Sequence, residues 1–121
     1  MIRGIVSADG IPTITLLISG RDWIAIIDTG FNGDLELPED LRDSLGPLFV
    51  GRVISALAGA QTIEEDVYLV DFPFDDQIVQ AEVTFVYSSQ ILLGTHLLQK
   101  YRLQIDFASK TVQLERVINN S

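Results

Sequence analysis

Asp28, Thr29 and Gly30 place a carboxylate, a hydroxyl and a glycine side by side at the end of an apolar run, Ile24-Ala25-Ile26-Ile27. A carboxylate held at a strand end can take a proton from water or return one to a reacting atom, if both lie within hydrogen-bond reach. The same residues also make an ordinary turn, because Asp and Thr bond their own backbone and Gly accepts tight geometry. The triplet alone does not choose between these readings. The elements around it must.

The chain has 121 residues, 47% of them hydrophobic, and a formal charge of −9 at pH 7. That length fits one domain, residues 1–121, with a single core. The charge excludes nucleic acid as a partner, since phosphate neutralisation needs clustered Lys and Arg and the eight here are scattered. Cysteine is absent and His96 is the only histidine, with no HxxxH or HxxE partner, so neither a metal site nor a cofactor is expected. The apolar run Ile14–Ile18 is interrupted by Thr15 and is far too short to span a membrane. With neither a basic leader nor a long apolar stretch, the reading is a soluble, cytoplasmic protein.

Short apolar runs punctuated by turn residues predict an all-β sandwich or barrel. Met1–Ser7 and Ile11–Ile18 flank Ala8-Asp9-Gly10, a hairpin signal. Trp23–Ile27 leads into Asp28, and Leu35 and Leu37 alternate with Asp34 and Glu36. Pro38 is expected to open a helix through Leu45, with Glu39 and Asp40 in its first turn, Leu41 and Leu45 facing the core and Gly46-Pro47 ending it.

Val53–Leu57 and Thr62–Leu69 predict a hairpin around Ala58-Gly59-Ala60, and Val79–Tyr87 alternates with Val79, Ala81, Val83, Phe85 and Tyr87 on one face. Ile91-Leu92-Leu93 ends at Gly94, and His96–Tyr101 reads as a second short helix. Leu103, Ile105 and Phe107, then Val112 and Leu114, close the sheet, and residues 116–121 read as a frayed tail. An apolar strand, a glycine and a helix thus occur twice, as two related halves of one small β domain would show.

Three features in this order resemble the retropepsin-like aspartic proteases, specifically their single-domain bacterial branch. They are the apolar strand with Asp28-Thr29-Gly30-Phe31-Asn32-Gly33-Asp34, the glycine-tipped hairpin at Ala58-Gly59-Ala60, and Ile91-Leu92-Leu93-Gly94 with the segment that follows. The resemblance runs from about residue 3 to 115. It implies a closed acid-protease barrel with one or two short helices, and an endopeptidase without cofactor. Asp28 would be the catalytic acid, with Thr29 bracing the active-site loops and Gly30 letting a substrate approach. Phe31, Asn32, Ala58, Gly59 and Ala60 would bind the peptide or unfolded-protein substrate. The chain departs from the viral pattern at Phe31, where Ala or Ser is usual, and at Asn32 and Thr95, where viral relatives carry an Asp–Arg ion pair that supports the dimer. It departs also at His96, where an acidic or amide residue is usual.

Peptide hydrolysis by this route needs two carboxylates, one to deprotonate water and one to protonate the carbonyl oxygen. One chain supplies one Asp-Thr-Gly, so the resemblance implies a homodimer pairing Asp28 with its symmetry mate. Two unit charges about 3 Å apart at an effective dielectric near 20 repel by roughly 5–6 kcal/mol, enough to hold one proton between them. One other reading keeps the fold without turnover, as a dimerisation or peptide-binding module, and a second is a small β-barrel binding some other ligand. His96 reads as a surface or helix-start residue, Trp23 and Tyr68 as packing, and Glu64-Glu65-Asp66 and Asp75-Asp76 as solvated faces or edge protection.

Overall fold

Successive side chains of a strand point to opposite faces, so alternating sequences fold where one face can be buried. A computed structural model describes residues 1–56 and 59–117. Its ten strands are β1 Ile2–Val6, β2 Pro12–Ile18, β3 Arg21–Ile27, β4 Leu35–Pro38, β5 Leu48–Ala56, β6 Thr62–Phe74, β7 Gln77–Val86, β8 Ile91–Leu93, β9 Tyr101–Asp106 and β10 Thr111–Arg116. They join in one sheet in the order β5-β6-β7-β4-β8-β3-β2-β1-β10-β9. The all-β reading holds. The order has two ends, β5 and β9, and no pairing among the described residues joins them into the closed barrel that was expected.

The centre of this order fixes the site. Strand β8 lies parallel to β3, with Ala25 opposite Ile91 and Ile27 opposite Leu93, and antiparallel to β4 on its other side, with Leu35 opposite Leu93. The two apolar runs that precede Gly30 and Gly94 are therefore neighbours. One face of each run, Ala25 and Ile27 with Ile91 and Leu93, is buried in the core, while Ile24, Ile26 and Leu92 on the other face are exposed or half-buried. Ile91 and Leu93 are fully buried, with Leu35, Leu37 and Val83 beside them.

Between β4 and β5 the expected helix shrinks to a 3-10 turn, Glu39–Leu41, and one α turn, α1, Arg42–Leu45. Pro38 does not open it. Its extended backbone, φ −58° and ψ 139°, keeps it at the end of β4, paired with Val86. Gly46 closes the turn in the left-handed region at φ 55°, where a side chain is disfavoured. Leu41 is buried and Leu45 packs against the core, as the spacing predicts. The Arg42 guanidinium bonds Glu39 and lies over the Tyr68 and Phe85 rings at 4.5 and 4.7 Å.

The second helix does not form. Residues 95–100 make successive turns through bonds from the Leu98 N–H to the Thr95 carbonyl, Gln99 to His96 and Tyr101 to Leu98, each spanning three residues instead of four. Leu97, Leu98 and Tyr101 have helical spacing, but Tyr101 already begins β9 and the segment is too short to propagate. Tyr87 falls outside β7 and is 95% exposed, because the partner strand β4 has ended at Pro38 opposite Val86. Phe107 likewise lies beyond β9, exposed.

Asp75-Asp76 forms the two-residue hairpin loop joining β6 to β7, both residues at positive φ, as a type I′ turn requires. Arg116 ends β10 opposite Tyr101, and the Val117 N–H bonds the Lys100 carbonyl at 2.9 Å, so the chain is tied through 117. Residues 118–121 of the expected frayed tail lie outside the described residues. Among the described residues no helix is long and apolar enough to cross a membrane.

Because Leu93 bridges β3 and β4 at full burial, Leu93→Ala should lower the unfolding free energy by about 2–5 kcal/mol, whereas Ile24→Ala should change it by no more than about 0.5 kcal/mol. Ile24 is 69% exposed. Urea denaturation of both variants checks this, and equal losses would contradict the placement of the core.

Candidate active site

Strand β3 ends at Ile27, and Asp28 stands immediately beyond it, its N–H donated to the Leu93 carbonyl of β8 at 3.0 Å. The chain then turns at once. The Phe31 N–H bonds the Asp28 carbonyl at 3.1 Å, and the Asp28 Oδ1 accepts the Gly30 N–H at 2.9 Å. This is the local Asp turn that the sequence allows, and it also aims the carboxylate. Asp28 is half-buried and lines a cleft of about 570 Å³.

A second segment holds the loop from below. The Gly94 N–H bonds the Asp34 carbonyl at 3.0 Å, Thr95 that of Phe31 at 2.8 Å and His96 that of Gly33 at 3.2 Å. Contact this close requires glycine. A Cβ on Gly94 would collide with the carbonyl oxygens of Gly33 and Phe31, and one on Gly33 would lie 2.7 Å from the Phe31 ring. Phe31 thus fills the space that two glycines leave, and it lines the cleft as well.

Side chains tie the same two segments. The Thr95 hydroxyl donates to Asn32 Oδ1 at 3.3 Å, a neutral bond. The ionic contact of this chain lies deeper. Asp34, one of only two buried polar residues among those described, accepts the Glu82 N–H from β7 at 2.8 Å on Oδ2 and His96 Nδ1–H at 2.5 Å on Oδ1. His96 starts no helix, but it is the exposed surface residue that was expected, with its ring bonded to Asp34.

The cleft gathers Asp28, Gly30, Phe31 and Asn32 of the expected site. Thr29 is exposed and stands outside its lining. Gly59 and Ala60 form the exposed tip of the β5–β6 hairpin, both at positive φ, and do not line it either, while Ala58 lies outside the described residues. The hairpin meets the cleft through its paired arms instead: Val53, Ser55, Ala56, Glu65 and Val67. Leu35, Val83, Thr84 and Leu92 complete the walls.

Glu36, Glu65 and Glu82 join Asp28 and Asp34 around this space, and no Lys, Arg or His lines it among the described residues. A strand's period of two would have separated the run Glu64-Glu65-Asp66 in advance. Glu64 and Asp66 face outward to Arg52, with Asp66 accepting its Nε–H at 2.9 Å, and Glu65 turns into the cleft. Nothing in the linear order signals Asp34 with His96, which are 62 residues apart.

Crowding has an electrostatic consequence at Glu36. Burial raises its carboxyl above the usual carboxylate range, and the negative charges of Glu65 and Asp28 push it the same way. The folded state therefore holds this proton more tightly than the unfolded chain, and ionising it costs stability as pH rises. Glu36→Gln should increase the unfolding free energy at pH 7, and the gain should shrink as pH falls through the raised folded value and be lost below the ordinary glutamate value of 4.5. Urea denaturation at pH 4 and pH 7 measures this; an equal gain at both, or a loss at pH 7, would contradict the crowding.

No known family description matches the chain, and no curated protein matches it. Solved structures do. A retropepsin-like aspartic protease from Rickettsia conorii superposes over 93% of this chain and 88% of its own, with a TM-score of 0.61 and 17% identity. The protease of Simian Foamy Virus (mac) matches over 72% of this chain and 91% of its own, with a TM-score of 0.57 and 21% identity. The foamy viral protease-reverse transcriptase, solved with an RNA/DNA hybrid, matches over 79% of this chain but only 13% of its own length, with a TM-score of 0.61 and 17% identity. At such identities the likeness speaks for architecture alone, and on that ground the chain has the retropepsin-like fold.

Proposed function

We propose that this protein is an aspartic endopeptidase whose active form is a homodimer, with Asp28 of each subunit supplying one half of a catalytic pair. The observation that carries this reading is the position of Asp28. It is the carboxylate at the end of the central strand of a retropepsin-like fold, half-buried in a cleft whose opposite wall is the β5–β6 hairpin.

In the reaction one Asp28 carboxylate takes a proton from water while the other, protonated, donates to the scissile carbonyl oxygen; the water oxygen attacks the carbonyl carbon. Collapse of the tetrahedral intermediate breaks the C–N bond, and the leaving nitrogen takes up the proton first removed from water. No metal or cofactor is required. An extended peptide fits between Asp28 and the hairpin as an added strand, its backbone bonded by the hairpin's main chain. Val53, Val67, Val83 and Leu92 offer apolar surface, while the cleft carboxylates disfavour acidic side chains in the substrate.

A non-catalytic dimerisation or peptide-binding module is the second reading. The neutral Thr95–Asn32 contact favours it, because it lacks the ionic brace of the viral dimers.

Cleavage separates the readings, and association tests the dimer that the peptidase requires. Incubated with an unstructured protein at pH 4–6, the wild type should cleave it and a pepstatin-like transition-state mimic should block cleavage. Asp28→Ala should lose at least about 100-fold in rate, the usual size of an acid–base contribution. Hydrolysis that survives Asp28→Ala would refute the assignment. Association should also depend on pH. Two subunits at −9 each repel at neutral pH, and acid titration toward the sequence pI of about 4.3 removes that repulsion. Sedimentation should show a tighter dimer at pH 5 than at pH 8, with the difference reduced by salt; equal association constants would count against it.

A further inference from the structure

We infer that Asp34 and His96 form a latch that positions the Asp28 loop and is tightest while His96 carries its proton. The consequence for turnover rests on the peptidase reading above; the latch itself rests on the geometry of three segments meeting at one buried carboxylate.

Asp34 closes the loop that Asp28 opens. Its side chain is 7% exposed, so the bulk of its solvation must come from protein donors. One is the Glu82 backbone N–H from β7, at 2.8 Å. The other is His96 Nδ1–H, at 2.5 Å, and among the described residues it is the only side-chain donor to this carboxylate. One carboxylate therefore joins the Asp28 loop, β7 and the turn after β8. The imidazole is differently placed, 56% exposed, so its proton exchanges freely with solvent.

The surroundings of His96 decide how it titrates. Asp34 bonds it and carries the opposite charge, and Glu82 adds a second, weaker negative charge. Lys100, Arg116 and Tyr101 share the adjacent 350 Å³ pocket with His96, the Tyr101 phenol, pushed up to about 12, staying neutral; what opposes protonation of His96 is its partial burial. The hydrogen bond to Asp34 dominates and raises His96 above the ordinary 6.5. A histidine with a raised folded value stabilises fully below 6.5, and that stability is lost as pH rises through the folded value. A neutral imidazole with hydrogen on Nδ1 still donates, but a charge-assisted bond is about twice as strong. Deprotonation therefore loosens the latch without opening it.

What loosens is the frame of Asp28. The same loop rests on the Gly94, Thr95 and His96 backbone bonds, so weakening the side-chain tie shifts strain to them. Proton transfer is sensitive to such shifts, since a misplacement of about 1 Å can cost about 100-fold in rate.

His96 is the only histidine, so its imidazole signals in a nuclear magnetic resonance titration of the full chain need no assignment. His96 should titrate above 6.5 in the wild type and return toward 6.5 in Asp34→Asn. Backbone amide signals of Gly30 and Gly33 should move with the same midpoint, and that step should vanish in His96→Gln while any acidic-range step remains. With the unstructured substrate, kcat should fall by about tenfold across the step with KM within about twofold, smaller than the displacement cost above. At enzyme concentrations that sedimentation shows to keep both proteins dimeric, the His96→Gln variant should show no step with that midpoint.

Loop amides that ignore His96 titration, or a step that persists in His96→Gln, overturn the latch. So does a His96 midpoint unmoved by Asp34→Asn in a variant that melts cooperatively. An intact amide step without Asp28-dependent cleavage supports the latch and sinks the peptidase reading instead.

Discussion

Gly94 must approach the backbone of residues 31–34 with no side chain between, and the geometry of the cleft depends on that contact. Four backbone bonds cross it, from Asp28 to Leu93, Gly94 to Asp34, Thr95 to Phe31 and His96 to Gly33. Each is worth only about 0.5–1.5 kcal/mol net when made, but a carbonyl left unpaired in such a place costs about 1–3 kcal/mol. The contact therefore behaves as a unit: lose the close approach and several groups are orphaned together. The partners are 60 to 65 residues apart in the chain, and the parallel pairing of β3 with β8 brings them into register. Burial of Ile27, Ile91 and Leu93 thus supplies the driving force, and the glycine supplies the precision.

Charge follows the same division between surface and interior. Arg52 with Glu64 and Asp66, and Arg102 with Glu115, are exposed pairs whose value is small after screening and side-chain entropy. Asp34 is the opposite case, buried, with two donors on separate oxygens. Removing one donor from such a group leaves a charge that the interior cannot solvate, which costs far more than the pair contributes over an apolar substitute. A neutral contact at Asn32 and Thr95 is tolerable because the ionic tie of this loop lies two residues further along, beneath it.

How much of this was legible in the chain follows from which forces act locally. Strand periodicity located nearly every strand, since burial on one face writes itself into alternate residues. Leu41 and Leu45 faced the core as their spacing said. Where a neighbour decides the outcome, the linear pattern misled. Val79 through Tyr87 alternates without a break, but β7 stops at Val86 because its partner β4 has run out. Residues 96–101 have helical spacing, yet turns win because β9 must begin at Tyr101 opposite Arg116. Strand β5 begins at Leu48, earlier than its pattern suggests, because Leu48, Phe49 and Val50 are all exposed and leave no alternation to read. Asp34 and His96 are adjacent only after the sheet has formed.

Strand β6 shows why one hairpin can serve both core and cleft. Its second half, with Val70, Phe72 and Phe74 buried, belongs to the core, whereas Thr62, Ile63 and Glu64 at its start are exposed. The paired strand β5 is exposed along nearly its whole length, with Ile54 at 68% and only Gly51 and Ser55 half-buried. A ladder with little apolar burial is held mainly by its own backbone bonds, and such elements open at low cost without unfolding the rest. Stability therefore falls along the hairpin from base to tip. Val67 is buried midway along the ladder, and Glu65, two residues nearer the turn, lines the cleft. The cleft is thus lined by a lightly buried ladder that is tied to the core only through the far half of β6, so its walls on this side owe their position to Val70, Phe72 and Phe74.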